Sequence, residues 1–185
     1  MTATVAQRTR ISVERYQKMI ATGVLTQCDR VELIEGEMFD MAPTGLRHAM
    51  ISARLTRLCV GGVGADLATI FIGGPVDLGG FSEPQPDVLL VRPRAYAKIP
   101  EAGDVLLLIE ISDSSLAYDR GTKASLYARY GIAEYWIVDA EGECVEIYTD
   151  PVSSTYVGKV TARGTDLITP RALPSLRITV RDIFA

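Results

Sequence analysis

The sequence predicts an α/β fold in which helices flank a mixed sheet (α+β in the wider sense). Helical and strand-like patterns follow one another in the order helix, hairpin, helix, several strands, helix, strands. Two strongly apolar segments, "DVLLV" and "DVLLLIEIS", provide the centre of that sheet. The length of 185 residues suits one sizeable core, and neither an internal repeat nor a long linker divides the chain. We therefore expect a flexible segment over residues 1–11 and a single domain over residues 12–185.

Individual elements follow from local patterns. "SVERYQKMIATGVL" predicts a helix that Ser12 caps and Gly23 ends. "RVELIEGEMFDM" predicts a hairpin with a tight turn at Glu35-Gly36. "RHAMISARLTRLCV" has the apolar stripe of a second helix. We further expect strands at 67–72 and near 76–78, the two apolar strands, a helix at about 121–130, strands at "EYWIVD" and "CVEIYT", and short strands and turns in the tail.

Composition excludes several classes of protein. A hydrophobic content of 48% and a charged content of 23% are typical of a soluble domain. No apolar run reaches the roughly 18 residues that a membrane helix needs, and "MTATVAQRTR" lacks the apolar core of a secretory signal. The three cysteines stand far apart without a CxxC pair, which favours reduced thiols in the cytoplasm over a zinc cluster or disulfides.

The distribution of charge leaves a nucleic-acid partner open. The net charge is −4, which by itself does not indicate nucleic-acid binding. Between residues 155 and 181, however, five basic residues stand against a single acid, Asp166. These are Lys159, Arg163, Arg171, Arg177 and Arg181. A local basic surface is therefore compatible with the negative net charge of the chain.

Two carboxylates are expected to meet at one edge of the sheet. Asp87 begins the first apolar strand and Glu110 lies near the end of the second, so in an antiparallel pair they become neighbours. Glu110 interrupts a run that reads as buried on both faces, and a bare buried carboxylate is costly. Two simpler interpretations remain open: Asp87 can merely mark a strand start, and Glu110 can form a buried ion pair without a metal.

Lys123 is expected to join the carboxylates. In "DRGTKASLYARYG", Lys123, Leu126, Tyr127 and Tyr130 share one face of a helix, so Lys123 projects toward the sheet. The alternative is a surface lysine whose stem alone is buried. An ammonium and two carboxylates at one edge can hold a hard divalent cation and place a phosphate and a water beside it.

At these residues the sequence resembles a known family. It is similar to the Uma-type family of restriction endonucleases, a branch of the PD-(D/E)XK nuclease superfamily, from about residue 12 to the end. The matching segments are "VELIEGEMFDMAP", His48 opening a helix, "PDVLLV", "LLLIEISDSS", "DRGTKASLYARYGIAEYWIVD" and "LPSLRITVRDIF". The superfamily pattern E-x-K would put lysine at Ser112; as in Uma-type proteins, the lysine is expected on the next helix instead, at Lys123.

The resemblance implies a restriction-endonuclease-like core and a magnesium-dependent endonuclease, with Mn²⁺ as a substitute. Asp87, Glu110 and the carbonyl of Ile111 would hold the metal, and Lys123 would position the attacking water and offset charge on the phosphate. Glu37, His48 and Asp119 are candidates for supporting roles. His48, the only histidine, can equally be a hydrogen-bonded core residue.

The expected substrate is nucleic acid, with DNA favoured, and Arg163 and Arg171 are the expected contacts to it. A homodimer would present two active sites to the two strands of a duplex. The rival interpretation is a non-catalytic binding or assembly module that keeps the fold and uses the ion pair for structure.

Overall fold

The structure is a computed structural model that describes residues 8–26 and 28–185. Contacts divide the chain into two compact units, Met1–Ala42 with Asp77–Pro84 and Pro43–Val76 with Gln85–Ala185. The single domain expected over residues 12–185 stays a prediction. Of the segment expected to be flexible, residues 1–7 lie outside the described residues.

Helices and strands have the following bounds. The helices are α1 (Val13–Ala21), α2 (Leu46–Gly62), α3 (Leu116–Tyr118), α4 (Ala124–Arg129) and α5 (Arg181–Phe184); a π-helical turn, Asp119–Lys123, joins α3 to α4. The strands are β1 (Val31–Ile34), β2 (Glu37–Asp40), β3 (Thr69–Ile72), β4 (Val88–Val91), β5 (Val105–Ser112), β6 (Glu134–Asp139), β7 (Cys144–Val152), β8 (Thr155–Arg163), β9 (Leu167–Ile168) and β10 (Ile178–Thr179).

The smaller unit contains α1 and the β1–β2 hairpin. The Ser12 side chain accepts a hydrogen bond from the backbone N–H of Arg15, which confirms the predicted cap. Glu35 (φ 51°) and Gly36 (φ 85°) form the turn, whose two positive φ values suit a right-twisted hairpin. Tyr16 is buried, and its hydroxyl donates to the carbonyl of Val31 at 2.9 Å, which ties α1 to β1.

The larger unit contains a six-stranded mixed sheet in the order β3-β4-β5-β6-β7-β8. The β5–β6 pair is parallel, and every other neighbouring pair of this sheet is antiparallel. The stretch from α3 to α4 supplies the crossover that a parallel pair requires. This mixed sheet with flanking helices confirms the predicted fold class.

The two faces of the central strand β5 have different roles. Ile109 and Ile111 point into the apolar core, which also contains Leu55 of α2. Side chains alternate along a strand, so Glu110 and Ser112 face the opposite side. The stretch from α3 to α4 contacts those two side chains. The sheet thus separates an apolar core from a face that carries polar groups.

Three element predictions need correction. No strand forms at 76–78, where glycine-rich turns surround Val76. The helix expected at about 121–130 begins earlier, at Leu116, and contains the π-helical turn. The tail contains a long strand, β8, of nine residues, which pairs with β7. Within the described part of the chain, the helices are too short or too polar to cross a membrane.

Candidate active site

Asp87 and Glu110 lie at the same end of two neighbouring strands. Val88 pairs with Ile109 in the antiparallel β4–β5 ladder. Asp87 comes one residue before Val88, and Glu110 one residue after Ile109, so the register places both carboxylates at one end of the pair. The backbone N–H of Ile111 donates to Asp87 Oδ2 at 2.7 Å, which joins the start of β4 to the end of β5.

Asp87 is held between the sheet and α2. His48 Nε2 lies 3.0 Å from Asp87 Oδ1, while Asp87 Oδ2 accepts from Ile111. The side chains of His48 and Asp87 are 19% and 23% exposed, so the pair lies at the rim of the unit. His48 therefore lies beside Asp87, and the supporting role expected of it stays a prediction. Each Asp87 oxygen has a donor that fixes the orientation of the carboxylate.

Glu110 forms a buried cluster with Lys123 and Tyr127. Lys123 Nζ lies 3.0 Å from Glu110 Oε1, and the Tyr127 hydroxyl donates to that oxygen at 2.6 Å. The side chains of Glu110 and Lys123 are each 6% exposed, which excludes the interpretation of Lys123 as a surface residue. The ion pair considered as an alternative for Glu110 is present. A charged pair at this depth requires the additional hydrogen bond, because burial removes water from both ions.

The π-helical turn brings Asp119 and Lys123 to the same cluster. The backbone N–H of Ala124 donates to the carbonyl of Asp119, five residues earlier, which defines the turn. Asp119 Oδ2 accepts hydrogen bonds from Ser112 Oγ and Ser115 Oγ, each at 2.5 Å. These contacts fix the start of the turn to the end of β5, so Lys123 one turn later reaches Glu110.

The pKa of Asp119 depends on its burial and on the charged groups near it. Burial raises the pKa of the Asp119 carboxyl, and the hydrogen bonds from Ser112 and Ser115 oppose that rise. The positive charge of Lys123 also lowers this pKa, whereas the negative charge of Asp87 raises it. The charges of Lys123 and Asp87 thus act on the Asp119 carboxyl in opposite directions. The supporting role expected of Asp119 stays a prediction.

The sequence analysis missed two contributors to this site. Tyr127 was placed only on the sheet-facing stripe, yet it donates directly to Glu110. Ser112 was treated only as the position that lacks lysine, yet it donates to Asp119. The spacing of four residues between Lys123 and Tyr127 was the available signal, because i and i+4 side chains on a helix reach the same neighbour.

The other predicted site residues belong to other elements of the chain. Glu37 belongs to the smaller unit, where its exposed carboxylate lies 3.4 Å from Arg8 Nη1. Arg163 ends β8 and pairs with Cys144, at the end of the sheet where β5 and β6 also terminate. Arg171 pairs with Asp150 at 2.6 Å, at the other end of β7. The roles predicted for these three residues stay predictions.

The donor set fits a hard divalent cation that keeps much of its hydration. Among residues 8–26 and 28–185, no group of three or more His, Cys, Asp or Glu side chains is arranged to hold a metal. The carboxylates of Asp87 and Glu110 lie at the same end of the β4–β5 pair. Mg²⁺ is commonly bound by one or two carboxylates together with waters and substrate phosphates. Neither cysteine nor a histidine cluster offers a softer site there.

Comparison with known proteins agrees with this architecture. The profile of the Uma2 family, described as "Putative restriction endonuclease", matches residues 13–181. A crystal structure of "a putative nuclease belonging to DUF820" from Anabaena variabilis ATCC 29413 has a TM-score of 0.71 at 16% sequence identity, covering 94% of this chain and 97% of that chain. None of the curated proteins is significantly similar to the chain. The structural similarity shows a shared fold, and because the family match spans nearly the whole chain, the protein belongs to the Uma2 family.

Proposed function

We propose that the protein is a magnesium-dependent endonuclease that hydrolyses phosphodiester bonds, with DNA as the favoured substrate. The observation that carries the proposal is the convergence of Asp87, Glu110 and Lys123 at one end of the β4–β5 pair. Membership of the Uma2 family, whose description names restriction endonucleases, supports the same activity. Mn²⁺ is the expected substitute for Mg²⁺, since both accept oxygen ligands.

Each residue at the site has a distinct role in this proposal. Asp87, Glu110 and the carbonyl of Ile111 hold the cation. A bound Mg²⁺ supplies positive charge that polarises a phosphoryl oxygen and makes a nearby water more acidic. Lys123, whose Nζ lies 3.0 Å from Glu110 Oε1, would position the attacking water and offset charge on the phosphate.

Supporting residues fix the carboxylates before substrate arrives. His48 and the N–H of Ile111 orient Asp87, while Tyr127 orients Glu110. Asp119, held by two serine hydroxyls, limits the movement of the helix that carries Lys123. Such preorganisation matters because charge stabilisation is most effective when the groups need not reorganise during the reaction.

A cleavage assay with matched variants tests the proposal. Glu110→Gln removes a buried carboxylate at the site, whereas Glu134→Gln removes one of similar burial at the opposite end of the sheet. With Mg²⁺, wild type and Glu134→Gln should cut generic DNA and Glu110→Gln should not. Equal cleavage by both variants would place the activity elsewhere or in a contaminant.

A second candidate is a non-catalytic binding or assembly module. The buried contact of Glu110 with Lys123 and Tyr127 favours it, because this cluster needs no metal to satisfy the carboxylate oxygen Oε1. If this candidate holds, folded wild type should cleave nothing with any metal.

The proposal includes a homodimer, in which two sites would face the two strands of a duplex. Light scattering coupled to size-exclusion chromatography measures the mass directly. A mass near 20.1 kDa for the protein would indicate a monomer, and twice that value is expected.

A further inference from the structure

The end of the sheet that carries the candidate active site also carries arginines. One row of paired residues crosses four neighbouring strands at this end. It comprises Ser112 of β5, Asp139 of β6, Cys144 of β7 and Arg163 of β8. At about 4.8 Å per strand, Arg163 lies about 14 Å from Ser112 along the row.

Arg163 is exposed at this end and hydrogen-bonds to a neutral group. Its Nη1 donates to the carbonyl of Gly142 at 2.8 Å, which fixes the side chain against the β6–β7 turn. A carbonyl does not neutralise the guanidinium charge, and a guanidinium has five N–H donors. The charge and most of that donor capacity therefore remain available to an anion.

Two further arginines border the same end. The backbone N–H of Arg181 donates to the carbonyl of Gly164, the neighbour of Arg163, at 2.7 Å, and both arginines are exposed. On the other side, Arg47 precedes His48 in α2, and its Nη2 lies 3.5 Å from Glu143 Oε1. These two side chains are 48% and 64% exposed, and an ion pair so exposed contributes little stability. A phosphate can replace Glu143 as the partner of Arg47.

We propose that Arg47, Arg163 and Arg181, here called the arginine surface, hold the phosphate backbone of the nucleic acid as it leaves the Asp87–Glu110 site. This inference rests on the proposed function, since it names the surface on which that substrate lies. The row of about 14 Å corresponds to about four base pairs of duplex, at 3.4 Å per pair. Phosphate contacts set position rather than sequence, so the surface recognises backbone without base preference.

The test compares two double variants that remove the same charge. Arg163→Ala/Arg181→Ala removes two cations from the arginine surface. Arg92→Ala/Lys98→Ala removes two exposed cations from the opposite end of the sheet, where the β4–β5 connection lies. Binding of a labelled generic duplex is measured across salt concentrations in Ca²⁺, which is used in place of Mg²⁺ to prevent cleavage.

The arginine-surface variant should bind more weakly and with a flatter salt dependence. Each lost phosphate contact reduces the slope of log affinity against log salt by about 0.9, so two contacts reduce it by about 1.8. If the variant and wild type have equal affinity at 1 M salt, this change in slope corresponds to roughly a 60-fold loss of affinity at 0.1 M salt. The Arg92→Ala/Lys98→Ala variant should bind like wild type. A third variant, Glu143→Gln, should bind more tightly because it releases Arg47.

Three outcomes would overturn the inference in distinguishable ways. Equal losses in the two double variants would show that total charge matters and the surface does not. Unchanged binding by Arg163→Ala/Arg181→Ala, with wild type cleaving DNA, would reject the surface and leave the proposed function intact. If wild type binds no duplex, single strand or RNA at about 50 mM salt, the proposed function fails together with this inference. Melting temperatures confirm that each variant is folded.

Discussion

Removing the charge of Lys123 tests how the candidate site is stabilised. Lys123→Met keeps an unbranched chain of similar size but leaves Glu110 buried without its cation. Both side chains are 6% exposed, so breaking the pair should cost on the order of 3–5 kcal/mol. The hydrogen bond from Tyr127 remains, which favours the lower part of this range. A loss of about 3 kcal/mol lowers the melting temperature of a chain of this size by about 6–12 °C.

The double variant Glu110→Gln/Lys123→Met separates the ion pair from general packing damage. It removes both charges, so no uncompensated ion stays buried, and its loss should be at least about 2 kcal/mol smaller than the sum of the single losses. Urea unfolding in the presence of a chelator measures all four proteins. Trp136, the only tryptophan and fully buried in β6, provides the fluorescence signal. If the free energies of unfolding of both single variants lie within about 1 kcal/mol of wild type, the ion pair does not stabilise the fold.

Three further predictions concern metal, geometry and pH. Mg²⁺ or Mn²⁺ should raise the melting temperature of wild type by mass action, and Asp87→Ala should abolish the rise; an equal rise in both would place the metal elsewhere. Tyr127→Phe removes the 2.6 Å hydrogen bond to Glu110 and should cost about 1.5–3 kcal/mol and lower kcat more than it raises KM; unchanged stability and kinetics would exclude a positioning role. In the smaller unit, burial raises the pKa of Glu83 to about 7, although the hydrogen bonds from Gln17 oppose this rise. Between pH 4.5 and 7, the folded state therefore keeps a proton on Glu83 that the unfolded state has lost. Stability should therefore fall by up to about 3 kcal/mol as pH rises from 4.5 through 7, and Glu83→Gln should flatten this dependence in a pH series of urea titrations.

The arrangement of the carboxylates could be predicted from sequence because it depends on simple periodicities. Antiparallel pairing of two apolar strands brings the start of one, at Asp87, beside the end of the other, at Glu110, and the structure has that pairing. Helical spacing placed Lys123 on the sheet-facing side, and its burial confirms the orientation. These inferences needed only the pairing of adjacent elements, so they did not depend on the rest of the chain.

The parts that could not be predicted depend on contacts between distant residues. The π-helical turn has no periodic signature in the sequence. Its start is fixed by contacts of Asp119 with two serines, and the sequence does not show that these side chains meet. The segment at 76–78 has strand-like residues but forms no strand, and the glycines on either side of it, Gly73, Gly79 and Gly80, adopt positive φ values. Arg163 and Arg171 are only eight positions apart in sequence, yet β7 separates their environments by about 20 Å. Spacing along the chain gave no indication of that separation.

If Asp87 and Glu110 hold a metal with which the chain cleaves nucleic acid, cleavage must depend both on the metal and on these carboxylates. The most direct measurement is the initial rate of cleavage of generic plasmid DNA as Mg²⁺ is titrated, with wild type and Asp87→Asn compared at equal protein concentration. The rate for wild type should rise with Mg²⁺ and saturate, and Asp87→Asn should cleave no DNA at any Mg²⁺ concentration. Cleavage by Asp87→Asn that follows the wild-type curve, or cleavage by wild type that is unaffected by a chelator, would contradict that dependence.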